Sequence, residues 1–378
     1  MKKTFCITLA LLFTLALSAC DKTPDVSGTP IVSVSDLENH KEQNHSSFTF
    51  DATLFSGKLQ SCAYAGNGGL LVLADKLYLY DTAAASVLAV TEAPPMYDFE
   101  VQPTNDGYIL TGLGDDGAMA YIYDSSLSLK REIAINELLR EDFVASETGG
   151  VAATTDGKKL AIAAMGGLYL YDLESENLTT LLDVSQNAET DGIGVSMLNG
   201  AAFAGDNNHI LFYGRGESIP ATNGEDSFCI YGSINMDGGN LKLTKLSDYD
   251  IEEMQSSADR LFFPQVFTQN NGKLLWLNRA TGITDTLSFS DGDEGRDGVY
   301  SSAQGNYVAT AVLNNNLTVR IYDVASGELL ATEVIENADP TYFYRIPRIY
   351  LLDETRTAVV VLGGSISEID TLVSTLSF

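Results

Sequence analysis

Short segments of alternating apolar and polar residues recur along most of the chain. Four copies keep the pattern best, and each of these ends in an aspartate: 77–81, 120–124, 168–172 and 319–323. The first and third read Leu-Tyr-Leu-Tyr-Asp, the second Ala-Tyr-Ile-Tyr-Asp and the fourth Val-Arg-Ile-Tyr-Asp. Alternation of β-branched and aromatic residues with other residues is typical of strands that bury one face. Each copy therefore predicts a β-strand.

Three weaker copies extend the series to seven. They end at Gly232, Asn278 and Asp370 and join the copies that end at Asp81, Asp124, Asp172 and Asp323. The intervals between successive last residues are 43, 48, 60, 46, 45 and 47 residues. A period near 45 residues that is built of short strands indicates propeller blades.

The rest of each repeat predicts three further strands. Tight-turn sequences such as 105–107 and 156–157 permit the positive φ values of short hairpins. Apolar strands are predicted on their carboxyl side, at 70–73, 160–164, 307–312 and 358–362. A turn and a fourth strand follow the aspartate, as at 329–334. Seven units of four antiparallel strands predict an all-β, seven-bladed β-propeller over residues 48–378.

Two stretches resemble known propeller repeats. Residues 319–330 (VRIYDVASGELL) resemble the third-to-fourth strand hairpin of WD-repeat and YVTN-type propellers, and residues 154–172 resemble their second-to-third strand part. The resemblance implies that second-to-third strand loops and inter-blade loops form one binding face. The chain lacks the Trp-Asp and Gly-His pairs of WD repeats. Trp276 is its one tryptophan, whereas quinoprotein propellers carry one per blade, so no cofactor is expected.

Residues 48–55 (FTFDATLF) precede the first repeat and look like a strand. We expect this strand to fasten the first blade to the last, because a ring needs closing at its seam. The alternative is that the segment belongs to the preceding tether.

The N-terminus has the features of a secretory signal peptide over residues 1–19: a basic start, an apolar run over 5–17 and small residues before Cys20. That run is shorter than the about 20 residues that span a membrane. Residues 17–20 (LSAC) resemble the bacterial lipobox, which implies cleavage before Cys20 and lipidation of its sulfur. Residues 20–47 are then a lipidated, polar tether, and the propeller is expected on the extracytoplasmic side of a bacterial membrane.

Charge and cysteine content limit the possible partners. Without residues 1–19 the chain has 20 basic and 51 acidic residues, a net charge of −31 (20 − 51). Such a charge repels phosphate backbones, so nucleic-acid binding is not expected. Cys62 and Cys229 lie in different repeats, and we expect both to be buried, free thiols.

The long interval of 60 residues places an insertion in blade four. It lies at 215–226, between strands predicted at 209–214 and 228–233, and offers Glu217 and Asp226 as candidate ligand-binding residues. Insertions are tolerated on any surface, so a neutral loop is the alternative.

A second candidate site joins blades six and seven, where Tyr342, Phe343 and Tyr344 precede Arg345. Clustered aromatics beside an arginine suit a glycan-stacking or protein-binding surface, although such residues can also pack between blades. Residues 291–298 begin like a calcium loop but lack its later oxygen ligands, so a solvated turn is expected and no metal site.

Catalytic motifs are not found in the sequence: there is no G-x-S-x-G elbow, and three histidines provide no ligand cluster for metal-dependent hydrolysis. The histidine count leaves an all-carboxylate calcium site as an open alternative. We therefore expect a membrane-anchored binding or scaffolding module for a protein or glycan. The alternative is a propeller enzyme of the lactonase or glycan-lyase type, which would need an acidic channel with converging carboxylates and an arginine. A third possibility, a purely structural assembly, predicts a large apolar patch on one face.

Overall fold

Seven small antiparallel sheets form a ring, and the molecule is a seven-bladed β-propeller. The computed structural model describes residues 51–57, 59–66, 68–114, 117–139, 150–186, 188–204, 207–220, 227–246, 251, 253–265, 272–279, 281–289, 298–313, 316–336, 345–364 and 372–378. The fold class predicted from the repeat is confirmed.

Each blade is a meander in which consecutive strands pair from the channel outward. In the first three blades these strands are β1 (Ser61–Gly66), β2 (Gly69–Leu73), β3 (Lys76–Asp81), β4 (Ser86–Glu92), β5 (Met96–Thr104), β6 (Gly107–Gly114), β7 (Gly117–Asp124), β8 (Leu129–Ala134), β9 (Val151–Ala153), β10 (Lys159–Ala164), β11 (Gly167–Asp172) and β12 (Asn177–Asp183). A single α-helical turn, α1 (Ile135–Leu138), follows β8. Short 3-10 helices lie at Ala52–Leu54 and Val184–Gln186.

Blade four has an additional short strand, and blade seven has three strands among the described residues. The strands of blades four to seven are β13 (Glu189–Thr190), β14 (Ile193–Phe203), β15 (His209–Ser218), β16 (Phe228–Asn235), β17 (Lys242–Leu246), β18 (Gln255–Ser256), β19 (Arg260–Phe263), β20 (Lys273–Asn278), β21 (Thr284–Ser288), β22 (Gly298–Ser301), β23 (Tyr307–Leu313), β24 (Leu317–Asp323), β25 (Leu329–Ile335), β26 (Arg345–Leu352), β27 (Thr357–Gly364) and β28 (Leu372–Ser377).

One register recurs in every blade. The first residue of the second strand lies opposite the last residue of the third, as Gly69 does with Asp81 and Lys159 with Asp172. The same pairing ends the third strand at Asp124, Asn278 and Asp323. Five of the seven predicted strand ends are therefore confirmed.

Blades four and seven depart from the prediction. The residue opposite His209, the first residue of β15, is Asn235 rather than Gly232, so the third strand of blade four ends three residues later. In blade seven Thr357 lies opposite Ser377, which makes β28 the third strand. The predicted strand end at Asp370 is therefore wrong, and residues 366–370 lie outside the described part of the chain. Both weak copies lack the Tyr-Asp ending, which left their register undefined by sequence.

Burial follows from the alternation of side chains along each strand. Odd and even positions face different neighbours, so each blade packs against the blade before it and the blade after it. Leu71 and Leu79 of blade one pack against blade two, whereas Leu70 and Tyr80 pack against blade seven. The tyrosines of the repeated third strands face the preceding blade, as Tyr121 and Tyr169 do. The core is thus a ring of apolar layers between blades.

The seam between blades seven and one is closed by side-chain packing. Phe55 is 7% exposed and joins blade-one residues and Leu352, Val359 and Val361 of blade seven in one apolar cluster. Its ring contacts Tyr78 and Tyr80 edge-on, with centroids 5.2 and 5.6 Å away. The strand predicted over 48–55 is wrong for Ala52–Leu54, which form a 3-10 helix, and residues 48–50 lie outside the described part.

The two remaining cysteines behave as predicted. Cys62 lies in β1 and Cys229 in β16, and both are buried and outside any disulfide. Burial raises the pKa of Cys62 to about 12, although the Arg348 guanidinium opposes the rise. A thiol with so high a pKa is a weak nucleophile at neutral pH.

Candidate functional site: the loop end of the propeller

The two ends of the ring differ in the length of their connections. At the end that we call the loop end, second strands join third strands and each blade joins the next. Its connections include the 12 residues between Leu138 and Val151 and the nine between Ser218 and Phe228. At the opposite turn end, the connection from Asn235 to Lys242 is among the longest, with six residues. Second-to-third strand loops and inter-blade loops share one face, as the resemblance implied.

Repeated side-chain caps close the turn end. The Oδ1 atom of Asp172 accepts hydrogen bonds from the backbone N–H of Glu174 (3.1 Å) and Ser175 (2.8 Å) and from the Ser175 hydroxyl (2.9 Å). Asp124 and Asp323 make the same kind of turn, and Asn278 does so through its amide oxygen. These bonds lower the pKa of Asp172, since they stabilise its carboxylate. The recurring aspartate thus has a structural role in the turn between the third and fourth strands.

Side chains also join neighbouring blades at the turn end. Asp353 of blade seven accepts hydrogen bonds from the Ser302 hydroxyl (2.9 Å), the Gln304 backbone N–H (3.1 Å) and the Asn306 side chain (3.2 Å) of blade six. Ser302 in turn accepts bonds from the backbone N–H of Asn306 and Tyr307. The polar atoms of this end are largely engaged in holding the turns in place.

A long hairpin of blade four distinguishes the loop end. β14 and β15 pair from Phe203 opposite Ile210 to Ile193 opposite Ser218, and β13 adds to the end of β14. Residues 215–218, predicted to lie in an inserted loop, therefore continue the second strand. We call β13 together with residues 193–195 and 216–218 the blade-four arm.

Glycines allow the two long strands of this hairpin to approach closely. A Cβ atom on Gly214 would lie 2.0 Å from the carbonyl oxygen of Met197, and one on Gly216 would lie 2.7 Å from that of Gly194. These approaches lie beside two irregularities in the β14–β15 register. The sequence therefore builds the arm with residues that have no side chain where the two backbones meet.

The predicted ligand-binding residues are distributed around the loop end. Glu217 is exposed on the arm, opposite Gly194. Arg345 is the first residue of β26 in blade seven, at the same end of the ring, but its side chain lies outside the described atoms. Asp226, Tyr342, Phe343 and Tyr344 lie outside the described residues, as do the predicted solvated turn at 291–297 and Cys20. Glu217 and Arg345 belong to blades four and seven, so they do not share one blade interface.

A polar cluster that the sequence did not indicate lies between the inner strands of blades seven, one and two. Arg348 donates a hydrogen bond to the Phe99 carbonyl (3.0 Å), and Tyr350 donates one to the Cys62 carbonyl (2.8 Å). Glu100 and the Arg348 guanidinium both lie close enough to Tyr350 to influence its ionisation. Burial raises the pKa of Tyr350, and the guanidinium opposes that rise. Only the ring closure brings these residues together, since Arg348 and Phe99 are 249 positions apart.

This cluster has a structural role. Arg348 and Tyr350 both bond backbone carbonyls of other blades, so they connect the last blade to the first two. The alternative of a propeller enzyme calls for an acidic channel with converging carboxylates and an arginine. This cluster brings one carboxylate, that of Glu100, and the Arg348 guanidinium close to Tyr350.

The described residues contain no group of three or more histidine, cysteine, aspartate or glutamate side chains suited to a metal ion. Exposed large apolar side chains occur on several blades, among them Leu129, Met165 and Ile283. In the same part of the chain, no helix has both the length and the apolar character needed to cross a membrane. No protein-family model matches the chain, and no curated protein matches it.

Proposed function

We propose that this protein is a binding or scaffolding module that a lipid on Cys20 anchors to the extracytoplasmic side of a bacterial membrane. Its propeller is a rigid platform, and its loop end contacts a protein or a glycan. The resemblance of residues 154–172 and 319–330 to WD-repeat and YVTN-type repeats supports a binding role, since propellers of these kinds bind through that end. The lipobox-like residues 17–20 support the anchor.

The observation that carries the proposal is the contrast between the two ends. At the turn end, capped turns engage their own polar groups, as Asp172 does with Ser175. At the loop end, the connections are longer and the blade-four arm presents the exposed Glu217. Loops held by a rigid scaffold commonly carry binding residues. Longer connections and an exposed carboxylate on a rigid scaffold make the loop end the better surface for a partner.

Site-specific photo-crosslinking in intact cells tests the binding face. The photoreactive amino acid p-benzoylphenylalanine replaces Glu217 in one variant and Glu174, an exposed residue of a turn at the opposite end, in the other. We expect discrete adducts with a protein or glycan from position 217 and none from position 174. Adducts only from position 174, or none from either position, would contradict the proposed binding face.

Mass spectrometry of the membrane fraction tests the anchor. We expect the N-terminal peptide of the mature protein to begin at Cys20 and to carry a diacylglycerol on the sulfur. The Cys20→Ser variant should lose that modification and leave the membrane fraction, because serine offers no thiol for the lipid. An unmodified Cys20 in the wild-type protein would overturn the lipoprotein assignment and leave the binding face untouched.

A further inference from the structure

An apolar side chain is exposed at the tip of blade three, at the loop end. Met165 lies in the turn between β10 and β11 and is 56% exposed, whereas Ala163 and Leu168, on either side of this turn, are fully buried. A thioether side chain suits a surface that receives another molecule, because methionine is flexible and adapts to what it contacts. Single exposed apolar residues are common on protein surfaces, so the neighbours of Met165 decide whether it belongs to a larger apolar area.

Three partly exposed aliphatic side chains continue this apolar area toward blade four. Val184, Ala188 and Ile193 pack against the apolar cluster between blades three and four, and each remains partly exposed. Two backbone hydrogen bonds connect these positions. The carbonyl of the residue after Met165 accepts one from the Val184 N–H (3.0 Å), and that of Ala188 accepts one from the Val195 N–H (2.9 Å). We call Met165, Val184, Ala188 and Ile193 the junction surface.

The charge beside the junction surface is negative. Glu189 of β13 and Asp191, in the turn that follows β13, are both exposed next to Ile193 in the chain. The chain from residue 160 to residue 214 forms most of blade three and the first long strands of blade four. It contains seven acidic residues and no lysine or arginine. An apolar area in such surroundings attracts a partner that carries positive charge.

We propose that the junction surface binds a segment of a partner protein in which an apolar side chain is flanked by lysine or arginine. The apolar side chain packs on Met165 and Ile193, and the basic side chains pair with Glu189 and Asp191. Charge complementarity favours this occupant over a second copy of the chain, whose net charge is −29. It also favours this occupant over a neutral glycan, which offers no cation to the two carboxylates. This assignment rests on the proposed function and narrows its partner to a protein with a basic, apolar segment.

Photo-crosslinking from position 186, beside the junction surface, tests this partner in intact cells. Gln186 is exposed at the end of the 3-10 helix Val184–Gln186, and p-benzoylphenylalanine replaces it. We expect a discrete adduct whose crosslinked peptide, identified by mass spectrometry, contains lysine or arginine beside an apolar residue. In the same background, Met165→Asp should lower the adduct yield at least about tenfold, because a carboxylate at the centre of an apolar contact loses its hydration.

Two matched controls separate this surface from general effects. Ile283→Asp changes a residue that is 66% exposed at the turn end and should leave the yield unchanged. Glu189→Gln/Asp191→Asn should lower the yield severalfold, because it removes both carboxylates. Glu333→Gln/Glu336→Gln removes the same charge from exposed positions of blade six and should leave the yield unchanged. Thermal unfolding checks that each variant is folded.

Four results would overturn the assignment. Equal yields from Met165→Asp and Ile283→Asp would show that the apolar area is not the contact. Equal losses in the two charge-neutralised variants would assign the effect to net charge. An adduct with a glycan, with a second copy of this chain or with a peptide that lacks basic residues would assign the surface to another occupant. Adducts from position 217 with none from position 186 would refute the junction surface and leave the proposed function standing.

Discussion

The residue at the end of the third strand sets the turn that follows it. An oxygen on a short side chain accepts N–H groups two and three residues ahead, which is a bond pattern that aspartate and asparagine share. Blade five uses Asn278, whose Oδ1 accepts from the Thr281 backbone at 3.0 Å, where blade three uses Asp172. In blades three and five this turn therefore uses an acceptor at this position, with or without a charge.

Removing that acceptor should weaken the turn. We expect Asp172→Ala to lower the melting temperature by a few degrees, because the Glu174 and Ser175 N–H groups lose their partner. Asp172→Asn keeps an acceptor in place and should lose much less at neutral pH. Thermal unfolding followed by circular dichroism compares the three proteins, and equal losses in both variants would assign the effect to charge.

The same aspartate should make stability depend on pH. Hydrogen bonds from Ser175 hold the pKa of Asp172 in the folded protein below its ordinary value of about 3.9. A lowered folded-state pKa contributes stability that is present above the unfolded-state value and is lost as pH falls through the folded-state value. We expect the melting temperature of the wild-type protein to fall more steeply than that of Asp172→Asn as pH drops from 5 to 3. Parallel curves would refute the carboxylate's contribution.

At the scale of strands, glutamine side chains join the inner strands of neighbouring blades by making hydrogen bonds of the kind that a paired backbone makes. Gln102 of β5 donates to the Val151 carbonyl (3.0 Å) and accepts from the Ala153 N–H. Gln255 of β18 makes the equivalent pair of bonds with Val299 (2.6 Å) and Ser301 (2.8 Å) of β22. A glutamine amide carries both a donor group and an acceptor oxygen, so it can bond a backbone carbonyl and a backbone N–H at the edge of a strand, as a neighbouring strand would.

Truncating either glutamine should loosen the junction between two blades. We expect Gln102→Ala to lower the free energy of unfolding by about 1–3 kcal/mol, because it leaves a donor and an acceptor of β9 without partners. Gln186→Ala, which removes an exposed glutamine bonded to Asp183, should change it by less than about 0.5 kcal/mol. Urea unfolding measures both, and equal effects would show that the bonds to β9 contribute little.

At the scale of the whole molecule, closing the ring requires contacts between residues at opposite ends of the chain. Tyr350 bonds Cys62 across 288 positions, and Phe55 fills the apolar layer between the last and the first blade. These non-covalent contacts, rather than a covalent bond, hold the first and last blades together. Stability of the ring should therefore be sensitive to the seam.

Phe55→Ala should destabilise the protein by about 3 kcal/mol, since it opens a cavity among Tyr78, Tyr80 and blade seven. Leu54→Ala is the matched control: Leu54 is 41% exposed, and its loss should cost less than about 0.5 kcal/mol. Deleting residues 21–57 should likewise lower the melting temperature clearly and promote aggregation, whereas deleting residues 21–47 should leave it nearly unchanged. Equal melting temperatures for Phe55→Ala and Leu54→Ala would show that the seam is held elsewhere.

The sequence by itself determined the blade count, the strand alternation and five of the seven third-strand ends, because these features depend on local patterns that each repeat carries. It also indicated that Cys62 and Cys229 are not joined by a disulfide, since blade assignments place them apart. Tertiary structure alone decided the rest. Asn235 and Ser377 end their strands because of pairing with His209 and Thr357, and no local pattern indicates that register. Contacts between blades, which form only when the ring closes, decided three further features. These are the 3-10 helix at Ala52–Leu54, the extension of β15 to Ser218 and the proximity of Arg348, Tyr350 and Glu100.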